Sequence, residues 1–440
     1  MGRTRRLMAA AVIAAWAGLA IGPPSPAVAA PGDATMVRIL GGGHLQVSSS
    51  DAESLVSVID GQPGGALAIH DQLHPVVGVA PCVAKTEDTV SCPVDGLTSV
   101  TVLTGLADDQ VITRTTLPVF VLTGAGNDIV VDNYSSDALF LLGAGDDQAR
   151  PSPGPNNVFG EAGVDSVWYR DDTVPLEVSL DDVANDGRVP RDDNIHSDIE
   201  NILGGRGDDV LIGSDAANLI DGRQGSDTIL GLGGDDRFAA LGNGQGFPNG
   251  ADSIFGGTGN DTVSYEDRTS GVVVRLDDRP FDGEPGENDN VHSDVETIAG
   301  SSAADVLTGS ASSNHLLGLT GNDRLDGGLG ADVLDGGPGT DTASYADRTR
   351  GVVVRLNALA DDGQAGEGDN VLNAENLIGG SGPDRLTGNA GRNVLRGLLG
   401  NDRMHGLDDN DTLIGSEGID FADGGRGVDV CQVESSTGCP

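Results

Sequence analysis

The chain has 440 residues, of which 68 are glycine and only 3% aromatic, and its formal net charge is −43. So acidic a chain repels nucleic acid and anionic membrane, which argues against both as partners and favours metal cations as the counterpart. Too few aromatics are present for an ordinary core, yet glycines recur at fixed intervals among Leu and β-branched residues, which argues for ordered repeats over a disordered polyanion.

Residues 1–29 combine Arg3, Arg5 and Arg6 with an apolar run at 7–21 and an Ala27-Val28-Ala29 cleavage signal. That pattern predicts a secretory signal peptide. No later apolar run is long enough to span a bilayer, so the expectation is a secreted, extracellular protein without a membrane span. Residues 30–103 alternate apolar and polar in "HLQVSSS" and "LTSVTVLTG", and predict an N-terminal β cap. Within it His70 and His74 have the H-x-x-x-H spacing of a zinc protease. Asp71 stands where the general base would be, and the strand-like context denies both His the helix face they need. Residues 104–168 read as degenerate repeats, with Asp109, Asp128, Asp147 and Asp165 spaced by 19, 19 and 18.

A strict nine-residue phase follows. Asp209, Asn218, Asp227 and Asp236 keep it, as do Asp252 and Asp261; then Asp305, Asn314, Asp323, Asp332 and Asp341; then Asp384, Asn393, Asp402, Asp411, Asp420 and Asp429. Two residues after each stands an apolar side chain, from Leu211 to Cys431. The unit is G-G-x-G-x-D-x-U-x, with U apolar. Repeat blocks at 204–264, 300–344 and 379–432 alternate with three inserts at 169–203, 265–299 and 345–378. Each insert begins at a Tyr (Tyr169, Tyr265, Tyr345) and closes on a Glu (Glu200, Glu296, Glu375), with an Asp-Gly and an Asp-Asn between them. Constant insert length predicts a longer coil with a loop in the same solenoid. Its acidic residues are either a second kind of cation site or a solvated turn. Residues 433–440 form a C-terminal cap. Four cysteines suit an oxidising destination, and local pairs Cys82–Cys92 and Cys431–Cys439 are the simplest of three connectivities.

The unit resembles the calcium-binding nonapeptide of the RTX, or haemolysin-type, repeat family. The resemblance implies an all-β, parallel β-roll or β-helix solenoid that binds several Ca²⁺ ions. It assigns the metal to the sixth-position carboxylates, Asp209, Asp227, Asp236, Asp252, Asp261, Asp305, Asp323, Asp332, Asp341, Asp384, Asp402, Asp411, Asp420 and Asp429, and to turn glycines such as Gly257, Gly259, Gly328, Gly330, Gly337 and Gly339. The chemistry agrees: carboxylate and carbonyl oxygens suit a hard cation, and glycine lets turn carbonyls converge. Two units per coil stack like carboxylates one strand spacing apart, and a cation reverses their repulsion. Asp305, Asp323 and Asp341 then share one edge, with Asn314 and Asp332 on the other. Replacing Asp by Asn removes a charge, so the all-Asp edge is expected to bind more tightly from the start of each block. The functional expectation is a secreted calcium-binding protein with a structural or interaction role towards extracellular matrix or cell-surface components, not an enzyme, and no catalytic residue is singled out. The alternative is a small β-helix enzyme, polysaccharide lyase-like, acting on extracellular glycans.

Overall fold

The computed structural model describes residues 34–49, 51–62, 66–188, 192–239 and 250–439. The signal peptide expected at 1–29 lies outside the described residues. No helix occurs among those described; short strands build five sheets, nearly all in parallel pairing. Each turn of chain places one three-residue strand in each of two facing sheets. The register advances by one coil, as in Leu307↔Leu325↔Ala343. In the N-terminal part the coil is one residue longer, with Val102↔Val121↔Phe140 in register.

Three-residue strands carry one inward side chain each, which is why the apolar residue two after each Asp or Asn is decisive. Leu211, Ile220, Leu307, Leu316, Leu395 and Leu413 are all fully buried between the sheets. The N-terminal segment is joined to the roll by strand pairing. Thr35–Leu40 pairs antiparallel with His44–Ser48, which in turn pairs in parallel with Ser99–Leu103. Disulfides join Cys82 to Cys92 and Cys431 to Cys439, so both pairs are local. His70 lies on the strand Ala66–Asp71 and contacts the Asp88 carbonyl, whereas His74 lies beyond that strand.

The inserts do more than lengthen a coil. Each begins a new sheet and ends an old one, while the third sheet passes through unbroken. In the first, Leu176–Ser179 starts a sheet with Val210–Ile212, and Asn194–Ile195 closes the N-terminal sheet on Asn156–Ala162. The strand Asn201–Leu203 meanwhile continues the sixteen-stranded sheet beside Ser166–Trp168. In the second, Val273–Arg275 starts a sheet and Asn290–Val291 closes one. In the third, Val352–Arg355 starts a sheet and Asn370–Leu372 ends the sixteen-stranded one.

Candidate metal centre

The repeat carboxylates stack in columns along the roll edges. In each step, the amide of one Asp donates to Oδ1 of the Asp one coil later: Asp305 to Asp323 at 2.8 Å and Asp323 to Asp341 at 2.7 Å on one edge. Asn314 donates to Asp332 at 2.8 Å on the other. The two-edge assignment is therefore the observed one. The remaining columns run Asp209–Asp227–Asp252, Asn218–Asp236–Asp261, Asp384–Asp402–Asp420 and Asn393–Asp411–Asp429.

Within a column the kind of turn depends on position. The first residue is closed. Oδ1 of Asp209, Asp305 and Asp384 accepts from the amides of Leu176, Val272 and Val352, and Oδ2 from the amides of Gly205, Ser301 and Gly380. Asn218, Asn314 and Asn393 likewise accept from the amides of Ser214, Ser310 and Asn389. None of the five residues before any of these six has a positive φ. Later residues are open, except Asp252, which takes the Asp227 amide on Oδ1 but is not among the orphaned carboxylates. Oδ2 of Asp227, Asp236, Asp261, Asp323, Asp332, Asp341, Asp402, Asp411, Asp420 and Asp429 is buried with no hydrogen-bond partner. Nine of those ten turns have positive φ both four and two residues before the Asp, as at Gly257 and Gly259 (103° and 150°) or Gly328 and Gly330 (81° and 132°); the turn before Asp341 has it at Gly337 alone.

An orphaned buried carboxylate oxygen is costly, and ten in register are not a packing accident. Burial pushes Asp227 up to about 9, helped by Asp252 and Asp209 and opposed by the Asp209 amide. Burial likewise takes Asp332 up to about 7 and Asp323 up to about 6. Among the described residues no three His, Cys, Asp or Glu side chains converge on one point, so a cation here also draws on main-chain carbonyls. Those are at hand. A Cβ on Gly259 would collide with the Gly234 carbonyl of the preceding coil, and one on Gly339 with that of Gly321. Gly257, Gly328, Gly330 and Gly337 meet the carbonyls of Leu232, Ser310, Ser312 and Leu319 in the same way. Carboxylate plus carbonyl oxygen is the donor set of Ca²⁺, so the residues fit the ion.

The structure also accounts for residues whose place the sequence left open. The Asn that opens a column follows a Glu, and its side-chain amide donates to that Glu's carbonyl: Asn218 to Glu200 at 2.8 Å and Asn393 to Glu375 at 2.7 Å. Columns that meet an insert end on its acids, and the Asp384–Asp402–Asp420 column ends on Glu434 of the C-terminal cap. Glu200, Glu296 and Glu375 reach one methylene further to take the amides of Asp165, Asp261 and Asp341. Asp289 and Asp369 take those of Asp252 and Asp332. Asp186, Asp282 and Asp362 are buried and each accepts two main-chain amides within its insert, so they are neither solvated turns nor open carboxylates.

A parallel solenoid edged by columns of buried, unpartnered carboxylates defines a class of cation-dependent repeat proteins. The chain carries RTX calcium-binding nonapeptide repeats: the model of that repeat matches residues 200–238, 249–266, 293–318, 308–343, 378–413 and 405–432. No curated protein matches the chain in sequence.

Proposed function

We propose that this is an exported protein whose roll is completed by calcium outside the cell, where it serves a structural or interaction role rather than a catalytic one. The carrying observation is the set of ten open turns, each with one buried carboxylate oxygen that has no partner. Bound Ca²⁺ supplies the charge that those oxygens lack, and its binding free energy then becomes folding free energy. The proposed ligands are the ten open-turn aspartates and the adjoining turn carbonyls; Asp209, Asp305 and Asp384 act as main-chain acceptors that start each column. Export is supported by the leader-like residues 1–29 and by two disulfides, and millimolar extracellular calcium suits sites of modest affinity, about 10⁻⁴–10⁻³ M. A non-catalytic role is supported by residues 34–103, whose strands are consumed in capping the roll. Matrix or cell-surface components are the proposed partners. Far-UV circular dichroism of the mature chain, in chelator and then in millimolar calcium, tests the reading. A gain of β-structure with calcium is expected; an unchanged spectrum, with no calcium retained in equilibrium dialysis, overturns it.

A further inference from the structure

Residues 105–165 lie outside the matched repeats and have coils of 18 or 19 residues, yet one edge follows the same column rules. Asp109 is closed: its oxygens take the amides of Ser54 at 2.6 Å and Gly105 at 3.1 Å. Asp128, Asp147 and Asp165 follow in order, each accepting the amide of the Asp before it at 2.7 to 2.9 Å. Glu200 ends the column on the Asp165 amide at 2.7 Å. The three turns are open. Positive φ occurs at Gly124 and Gly126, Gly143 and Gly145, and Glu161 and Gly163. Asp147 and Asp165 are 2% and 0% exposed, and Oδ2 of each, like that of Asp128, is buried without a hydrogen-bond partner. The carbonyl column is there too, since a Cβ on Gly145 would collide with the Gly126 carbonyl and one on Gly163 with that of Gly145.

The opposite edge of the same coils is different. Asp132, the buried carboxylate on that side, has its oxygens taken by the hydroxyls of Thr113 and Ser135, and Asp137 near it is only half-buried. Open turns are thus confined to one edge, and they are not a general consequence of acidic composition.

We infer that this edge is a further row of divalent-cation sites, selective for calcium, held by Asp128, Asp147 and Asp165 with the carbonyls of their turns. The inference rests on the reading that an open turn with an orphaned carboxylate holds calcium. It extends the metal-dependent part of the roll to the N-terminal cap, with which this column is continuous through Ser54.

Trp168 reports on this row. It follows Asp165 by three residues, on the strand Ser166–Trp168, and Trp16 of the leader is the only other Trp in the sequence. The test is Tb³⁺ luminescence of the mature chain, excited selectively through Trp, with calcium as competitor. The probed variant is Asp147→Asn/Asp165→Asn, in which each Asn keeps an acceptor for the amide below it. Asp323→Asn is the remote control. Calcium-competed emission in wild type and control, lost to the level of a chelated sample in the double variant, is the expected result. A lower calcium stoichiometry in that variant, with an unchanged dichroism spectrum in saturating calcium, accompanies it. Equal emission or equal stoichiometry in the double variant overturns the inference while leaving the sites at 204–432 standing. A wild-type chain that binds no calcium overturns this inference and the proposed function together.

Discussion

Neutralising one ladder carboxylate should change stability in opposite directions with and without calcium. Asp323 lies between Asp305 and Asp341, whose charges both raise its pKa, each one coil and about 4.8 Å of strand spacing away. At about 5 Å and an effective dielectric near 20, one fully charged pair costs about 3 kcal/mol. Burial already pushes Asp323 up to about 6, so part of that cost is relieved by protonation near neutral pH. Asp323→Asn keeps an acceptor for the Asp305 amide, and its new side-chain amide lacks the Glu carbonyl that serves Asn218 and Asn393. Setting an unpaired amide of about 1 kcal/mol against the lost repulsion leaves a net gain on the order of 1 kcal/mol for the metal-free fold. In calcium the same change removes a full ligand charge, and the calcium midpoint of folding should rise by roughly tenfold, about 1.4 kcal/mol. Asp323→Ala also removes the acceptor of a buried amide, and should destabilise both forms by about 1–3 kcal/mol. Urea unfolding followed by dichroism, in chelator and in millimolar calcium at one ionic strength, reads all three. An Asn variant that loses stability equally in both conditions refutes the electrostatic account of the ladder.

Three further outcomes follow from the same geometry. Asp227, Asp323, Asp332, Asp402 and Asp411 have folded pKa values raised above the unfolded value by burial, so their contribution to the metal-free fold is fully present below about 3.9 and is lost as pH rises through about 6 to 9. In chelator, the urea midpoint should therefore be higher at pH 5 than at pH 8, while the calcium needed for folding rises as pH falls; a flat metal-free midpoint contradicts this. Leu319 holds φ at 66° where four of the ten open turns, those at Gly257, Gly328, Gly337 and Gly425, carry glycine, a conformation that costs an L-residue about 1–2 kcal/mol, so Leu319→Gly should lower the calcium midpoint despite the entropy that glycine adds to the unfolded chain. Leu316→Ala, at a fully buried inward position, should destabilise the calcium-loaded roll by about 2–5 kcal/mol in urea titration, and an unaltered midpoint speaks against Leu316 being in the core.

Periodicity made the roll legible, because a three-residue strand commits its single inward side chain and the nine-residue phase fixes which one it is. The same phase gave the two edges, since units eighteen apart must stack. It could not separate open from closed turns. The unit beginning at Gly379 matches the full pattern, yet Asp384 has both oxygens taken by amides, one of them from Val352 in the insert 32 residues earlier. That donor is supplied by the chain crossing to a new sheet, which no local window contains. Ser214, Ser301 and Ser310, each four residues before a column-opening Asp or Asn, were the available signal for part of the set. The opening Asn residues were visible as a pattern, but the Glu carbonyl that they satisfy was not.

The inserts present the opposite electrostatic solution to the repeats. Where the repeats leave carboxylates for an outside cation, the inserts bring their own. Arg268 is buried against Glu287 at 3.0 Å and Glu284 at 3.7 Å, and Arg348 against Glu367 at 3.4 Å, Asp326 at 3.7 Å and Asp347. In the first insert the signs are exchanged: Asp172 occupies the place of Arg268, four residues before the strand that starts the new sheet, and pairs with Arg188, which occupies the place of Glu284. Retention of the ion pair through a swap of its charges means that the contact itself, rather than either residue, is what the sheet exchange requires. Breaking a buried pair from one side costs about 3–5 kcal/mol because the other charge is stranded. Arg348→Met should therefore destabilise the roll by that order in saturating calcium, where the ladder effects are satisfied. If that variant instead loses stability only in chelator, the guanidinium is acting as one more counter-charge to the ladder and not as the lock of the insert.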